Sequence, residues 1–381
     1  MCKVVIKEVD RYDSRTVYIA VKEIMLHQRI NQLINRDTKI LIKPNMLSRH
    51  TPDKAVTTNP VVVDSVIGVL KEFGAKGENI TLADSSGGPA SRGVIQGNYN
   101  TCGFSLVAEK RGVNLYTKMS SRTLKTDGVM VKEFEVIRPA VESDVIINLA
   151  KFKTHVMTGM TGAVKNMFGV VPGLKKAEFH MRFPDKENFA NMLVDLCQAV
   201  KPTFTIVDGI QAMEGDGPAG GSVRNLGLLL AGSDPYKIDL AMAYIMGFDP
   251  ENLPVLKAAI DRGLAPTKLE MTDITGDVQR FKRCEGYILP RSYRLDFGDH
   301  VPRALRWATP AVEKFLAPKP KINKSKCIGC GKCRSICPQK TIEIKDKKAV
   351  INLKNCIKCF CCHEMCPVKA IDIKRSSFFK I

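Results

Sequence analysis

The sequence predicts an α/β protein, a mostly parallel sheet with helices on both faces, followed by a small α+β cysteine-rich module. Three observations carry this. Short apolar runs alternate with segments of helical period as far as Met246. Polar, glycine-containing stretches follow four of those apolar runs. Nine of the thirteen cysteines crowd between Cys327 and Cys366.

In chain order, the apolar runs 39–42, 80–83, 145–149, 205–207 and 226–230 are expected as buried strands. Helical periodicity covers 16–35, 60–73, 187–200 and 235–246 between and around them. Pro60 after Asn59, and Pro235 after Ser233-Asp234, are helix-start signals, and Gly74 and Gly247 are stops. Beyond Arg283 the alternation lapses and prolines recur, with one amphipathic helix expected at 303–316 around the only tryptophan, Trp307. A chain of 381 residues exceeds what one core holds. The expected division is an α/β substrate-binding domain of one or two lobes at 1–282, a Pro-containing linker at 283–322 and the cysteine-rich domain at 323–381.

Ligands of such sheets sit outside the carboxyl ends of the strands. The residues after each strand are therefore candidate binding residues. They are Lys43 and Asn45, then Asp84 and Ser85 in DSSGG, then Lys151 and Lys153, then Asp208 and Glu214. After the third strand comes KTHVMTGMTGAVKNMFGVVPG, residues 153–173, with four glycines among two lysines and His155. Glycines admit backbone N–H groups to a ligand, and a helix N-terminus adds partial positive charge. An anionic substrate fits, with His155, Lys165 and His180 as the catalytic candidates and either histidine moving a proton. The plainer account of the same stretch is a glycine-rich turn into a helix at 162–170, with His155 in a buried hydrogen bond. No G-x-G-x-x-G or Walker loop occurs, so a nucleotide cofactor has no support in the sequence.

The carboxyl-terminal module repeats one pattern, CIGCGKCRSICP from Cys327 and CIKCFCCHEMCP from Cys356. Both read C-x2-C-x2-C-x3-C-P, the run that holds 4Fe–4S clusters, in which the fourth cysteine serves the other cluster. One cluster is thus expected on Cys327, Cys330, Cys333 and Cys366, the second on Cys356, Cys359, Cys362 and Cys337. Zinc sites also use C-x2-C, but rarely four cysteines at this spacing twice with a proline after each last one. Cys361 is left over, either a spare thiol or a ligand in place of a neighbour. Residues 340–353 are expected as a hairpin and 370–374 as a closing strand. The module resembles two-cluster, clostridial-type ferredoxins, which carry single electrons at low potential.

The net charge is +19, and from Lys319 onward sixteen Lys/Arg face four Asp/Glu. Anionic clusters and an acidic redox partner account for this better than nucleic acid, because no basic motif with base-stacking aromatics accompanies the charge. The start, MCKVVIKEVD, predicts no secretory segment, and no apolar run approaches the roughly 18 residues of a membrane span. A cytoplasmic protein is expected.

KPNML, the stretch from Thr57 to Val62, LADSSGG, residues 153–173 and DGIQAMEGDGPAGG together resemble the bacterial and archaeal family called domain of unknown function 362. Members often carry this ferredoxin tail, and the reaction is unknown by the family's own name. The 153–173 stretch is also similar to a segment of nickel-pincer lactate racemases. There a lysine holds the cofactor and a later histidine ligates nickel, and His155, Lys165 and His180 fall in matching order. The racemases further need a histidine where this chain has Asp84-Ser85-Ser86, so the likeness implies a shared fold and not that reaction. The combined reading is an iron–sulfur oxidoreductase with two 4Fe–4S clusters. It would pass electrons from a low-potential donor such as ferredoxin or flavodoxin to a small anionic substrate. The alternative is a cluster carrier, assembly or electron-transfer partner without substrate chemistry.

Overall fold

The computed structural model describes residues 3–87, 91–118, 120–292 and 318–374. The helix expected at 303–316 with Trp307, and Gly88 of the DSSGG turn, lie outside the described residues. The body runs β1 (Val4–Glu8), α1 (Ser14–His27), β2 (Ile40–Pro44), α2 (Pro60–Glu72), β3 (Ile80–Leu82), α3 (Arg92–Thr101), α4 (Phe104–Arg111) and β4 (Asn114–Leu115). It continues with β5 (Ser121–Lys125), β6 (Glu133–Ile137), α5 (Pro139–Glu142), β7 (Val145–His155), β8 (Gly159–Thr161), α6 (Ala163–Asn166), α7 (Gly173–Arg182) and α8 (Lys186–Val200). It closes with β9 (Phe204–Glu214), β10 (Ser222–Gly232), α9 (Pro235–Met246), α10 (Pro254–Asp261) and β11 (Ile274–Gly276).

One sheet orders these strands β11-β1-β10-β9-β7-β2-β3-β4, with β8 paired to β7. The run β9-β7-β2-β3-β4 is parallel throughout, whereas β10 is antiparallel to both β9 and β1. Period-two alternation sends successive side chains to opposite faces. Ile40, Ile42, Ile147 and Leu149 join Val17, Ile24 and Val66 of α1 and α2. Leu41 and Ile146 join Leu193 and Leu196 of α8 and Ala259 of α10 on the other face. Each fully buried aliphatic side chain of this kind contributes about 1.5–3 kcal/mol, so the two helical layers are held by the strands between them.

The expected helix starts are built as the sequence indicates. The Asn59 side chain accepts the Val61 N–H with Pro60 at the first turn, and Asp234 accepts from Tyr236 and Lys237 N–H. Such caps contribute about 1 kcal/mol each. Three local expectations are corrected. The first helix stops at His27, because Arg29 turns left-handed (φ 56°) and a short 3-10 turn then buries Ile30 in the core. The helix expected at 162–170 is split into α6 and a 3-10 turn at Met167–Val170. The strand expected to end at Leu149 runs on to His155, fully buried throughout. Its lysines find partners inside the protein, so charge does not end the strand.

The cysteine-rich module comprises β12 (Lys319–Ile322), α11 (Lys332–Ile336), β13 (Ile342–Lys345), β14 (Lys348–Ile351), α12 (Cys361–Glu364) and β15 (Ile371–Lys374). β12 pairs with β15 and β13 with β14, both antiparallel. The repeat visible in the sequence is also a repeat of backbone shape. Gly329, Gly331 and Lys340 have positive φ, and so do Lys358, Phe360 and Lys369, each displaced by the offset that separates Cys327 from Cys356. Among the described residues no helix is long and apolar enough to cross a membrane.

Candidate functional site

The carboxyl ends of β2, β3 and β7 meet α6 and α7 around one cavity. A polar lattice forms its floor. Lys43, last but one in β2, is fully buried, and its ammonium donates to Asp84 Oδ2 (2.6 Å), Pro44 O (2.8 Å) and Asn166 Oδ1 (3.1 Å). That uses all three of its hydrogens. Asn45 donates to Asn166 Oδ1 (2.8 Å) and accepts from Lys153 Nζ (2.8 Å), which also donates to Val56 O (2.7 Å). Asn166 in turn donates to Asn148 Oδ1 (2.7 Å), tying α6 to β7. Gly169 must be glycine here, since a Cβ would run into the Lys43 ammonium and Asp84.

α7 and α8 supply the aromatic side. The His180 ring stacks on Phe189 (centroids 4.4 Å apart) and meets Phe168 edge-on. Lys165 Nζ lies 5.6 Å and 5.7 Å from the Phe168 and Phe189 ring centres, cation–π contacts in a buried setting. Lys176 of α7 donates to Ser85 O. Burial pushes the Lys165 ammonium down, and pushes Lys153 and Lys176 down to about 7.

The remaining wall comes from the cysteine-rich module, as Ile336, Cys361, Glu364 and Met365. His155 faces this wall. Its Nδ1 accepts from Met157 N–H (3.0 Å) and Thr158 N–H (3.4 Å), which leaves the hydrogen on Nε2. Nε2 lies 3.2 Å from Glu364 Oε1, a close polar contact without hydrogen-bond alignment. Burial holds His155 down at about 4 and His180 at about 3, so both rings are neutral at pH 7. Docking is completed by a Val156, Phe360 and Ile373 cluster and by His363, whose ring nitrogens face Ile371 O (2.5 Å) and Asp216 O (3.2 Å).

Five buried side-chain polar atoms lack a hydrogen-bond partner among the described residues, and four of them line this cavity. They are Ser85 Oγ, Thr161 Oγ1, His180 Nδ1 and Glu364 Oε1. An unmet buried polar group costs about 1–3 kcal/mol. Their concentration at one place marks a surface made to meet something polar.

Of the residues expected at the site, the structure gathers Lys43, Asn45, Asp84, Ser85, Lys153, His155, Lys165 and His180 around the cavity. It places Lys151, Asp208 and Glu214 elsewhere. Lys151 Nζ bonds Asp208 Oδ2 (2.7 Å) and Tyr12 Oη (2.9 Å), and Tyr12 also donates to Asp208 Oδ1 (2.8 Å), a closed set in which the two charged groups are fully buried. Glu214 accepts from Ile288 N–H (3.2 Å) and lies 3.8 Å from Arg224. Residues 284–292, at the start of the expected linker, pack on this side, with Tyr287 donating to Met213 O (2.9 Å) and Arg291 N–H to Asp216 (2.9 Å). The sequence reading passed over Lys176, Thr161, Asn166 and Glu364. Lys176 carried one signal, its i, i+4 spacing from His180, which puts both on one helix face.

In the module, Cys327, Cys330, Cys333 and Cys366 line one small apolar hollow, and Cys337, Cys356, Cys359 and Cys362 line a second. Backbone N–H groups point at four of the sulfurs, from Ala349 to Cys327 (3.4 Å), Thr341 to Cys337 (3.4 Å), Lys358 to Cys356 (3.4 Å) and Ala370 to Cys366 (3.1 Å). Four thiols round an apolar hollow with N–H donors on the sulfurs fit an iron–sulfur cluster. Cys361 lines neither hollow and faces the body cavity instead.

Residues 40–244, more than half of the chain, match the family described as Domain of unknown function (DUF362), and residues 319–367 match the 4Fe-4S dicluster domain. The chain is 34% identical over 270 residues to the thylakoid-associated protein sll1697 of Synechocystis sp., covering 70% of this chain and 81% of that one. Among solved structures it is similar to the lactate racemase apoprotein of Thermoanaerobacterium thermosaccharolyticum, at 16% identity and a TM-score of 0.41 over 64% of this chain and 56% of that one. A Thermotoga maritima protein matches at 16% identity and a TM-score of 0.37, over 60% of this chain and 57% of its own. The chain thus spans less than two thirds of either solved structure.

Proposed function

The chain belongs to the domain of unknown function 362 family and carries a 4Fe-4S domain at its carboxyl end, and from that premise we propose that it is an iron–sulfur oxidoreductase acting on a small anion in the cavity. One observation carries the reading. The cavity is walled jointly by the lysine-rich body and by Ile336, Cys361, Glu364 and Met365 of the cluster-binding module. In this reading Cys327, Cys330, Cys333 and Cys366 hold one 4Fe–4S cluster, and Cys337, Cys356, Cys359 and Cys362 a second. When bound, such clusters supply single electrons at low potential.

The chain's own residues do the rest. Lys153, Lys165 and Lys176 bind the anion, with Lys43 fixed by Asp84 as part of the floor. Phe168, Leu47 and Met365 exclude water, which strengthens each charge contact. The proton-moving role expected of either histidine falls to His180, whose Nδ1 meets no partner. His155 has Nδ1 engaged by two backbone N–H groups, so it positions Glu364 and the module. A cytoplasmic location and a ferredoxin or flavodoxin as donor complete the proposal.

Anaerobic purification tests it. About eight iron atoms per chain and broad absorption near 400 nm are expected. Dithionite-reduced protein should be reoxidised by a member of a panel of small carboxylates and phosphate esters. The Lys165→Ala variant should keep its iron and lose that reoxidation. Zinc in place of iron would remove the reading.

A further inference from the structure

Resting on the anion-binding reading above, we infer that the cavity takes a small dicarboxylate, gripped at its two ends by two separate sets of donors. The first argument is charge. Among the described residues, Lys43, Lys153, Lys165 and Lys176 line the cavity against two carboxylates, Asp84 and Glu364. Lys43 and Asp84 form a pair (2.6 Å), so three ammonium groups remain against Glu364, an excess of two positive charges when all are ionised. Among the described residues no carboxylate lies within salt-bridge distance of Lys153, Lys165 or Lys176. A ligand with two negative charges balances this wall, and one with a single charge leaves it short.

The second argument is the arrangement of donors. On the β7–β8 hairpin Lys153 is registered opposite Thr161, whose hydroxyl has no partner. Across the cavity elements, Lys176 of α7 is joined to the Ser85 backbone, and the Ser85 hydroxyl likewise has no partner. Ser85 and Thr161 are 1% and 4% exposed, so water does not serve these hydroxyls from outside. Each set offers one ammonium and one free O–H, a match for one carboxylate apiece. The third argument is the apolar part of the lining, where Leu47, Phe168, Ala177, Ile336 and Met365 suit a carbon skeleton and give inorganic phosphate nothing to bond. The space open to centres of water-sized molecules is about 90 Å³, which keeps the ligand small.

The same groups make binding draw protons. Burial lowers Lys153, which faces Glu364, Lys165, Lys151 and Asp84, and lowers Lys176, which faces Asp84, Lys43, Lys165 and Glu364. Both sit at about 7 in the free protein, and a dianion restores the proton to whichever has lost it. Affinity is then full below pH 7 and falls as pH rises above it, by up to about tenfold per pH unit for each proton taken up.

The experiment is isothermal titration calorimetry on the oxidised, cluster-loaded full chain, with malonate, succinate, acetate and inorganic phosphate as probes. Two buffers of different ionisation heat are used at pH 7 and 8. A dicarboxylate should bind at least about tenfold more tightly than acetate or phosphate, with net proton uptake and weaker binding at pH 8. Ser85→Ala, which removes one hydroxyl, and Lys176→Met should each weaken it about tenfold or more with iron content unchanged. Acetate or phosphate binding as tightly as either dicarboxylate, affinity unmoved in Ser85→Ala, or no binding by any probe overturns the inference. No electron donor is present, so the outcome is separate from the oxidoreductase reading. Dicarboxylate binding with no reoxidation of reduced clusters would keep this inference and remove that one, and reoxidation by monoanions alone would do the reverse.

Discussion

Lys151 and Lys153 stand two residues apart on β7, both buried, and belong to different worlds. Lys151 closes on Asp208 and Tyr12, so its charge is neutralised inside the fold. Lys153 rests on two neutral oxygens and faces the cavity without a counter-charge in contact. Burial alone therefore does not identify a binding lysine. The distinguishing property is whether the fold itself neutralises the charge.

The largest expected effect tests the closed set. Asp208→Ala strands the Lys151 ammonium in a dry interior and should destabilise the protein by about 3–5 kcal/mol, measured by chemical denaturation. Lys153→Met, by contrast, should cost less, about 1–3 kcal/mol, because it leaves Asn45 Oδ1 and Val56 O without their donor but strands no buried charge. Equal losses in the two variants would erase the distinction.

A second, smaller effect concerns Asp239 of α9, which faces the start of α6 and accepts Ala163 N–H (2.5 Å) and Val164 N–H (3.1 Å). It too is buried, with no ion pair among the described residues, and burial raises it to about 7 despite those two donors. Its protonated form is thus favoured on folding. The contribution to stability is whole below about pH 4 and is lost as pH rises through about 7. Asp239→Asn should flatten the fall in stability across that window. An unchanged slope in denaturation midpoints from pH 4 to 8 would show that the carboxyl ionises freely.

The smallest effect calibrates the others. Lys257 and Asp261 pair at 3.1 Å on the exposed face of α10. Lys257→Ala should change stability by no more than about 0.5 kcal/mol. A larger loss would mean that solvent screens charge here less than the buried comparison assumes.

Much of this site was readable before any coordinates. The rule that ligands gather beyond strand ends located Lys43, Asn45, Asp84, Ser85 and Lys153, and the doubled cysteine spacing grouped the eight thiols as they lie around the two hollows. What could not be read was pairing. Lys151 and Lys153 share a strand and a parity, and only the tertiary position of Tyr12 and Asp208 separates them. Glu364 was hidden for a related reason, since it meets His155 across more than two hundred residues of chain through the docking of one module on another. Helix 16–35 was overextended because its amphipathic pattern continues past His27, while the backbone must turn at Arg29 to deliver the chain to β2.

The shared wall of the cavity also bears on modularity. A 4Fe-4S module joined through a Pro-containing linker looks like an interchangeable cartridge, to be cut off or replaced by another. Here Glu364 and Cys361 belong to the cartridge and to the chamber at once. Excising it removes part of the cavity wall. It bares a bed of lysines whose only remaining carboxylate among the described lining residues, Asp84, is already taken. A chimera with a foreign ferredoxin domain must therefore copy one helix turn, Cys361–Glu364, as well as the eight sulfurs.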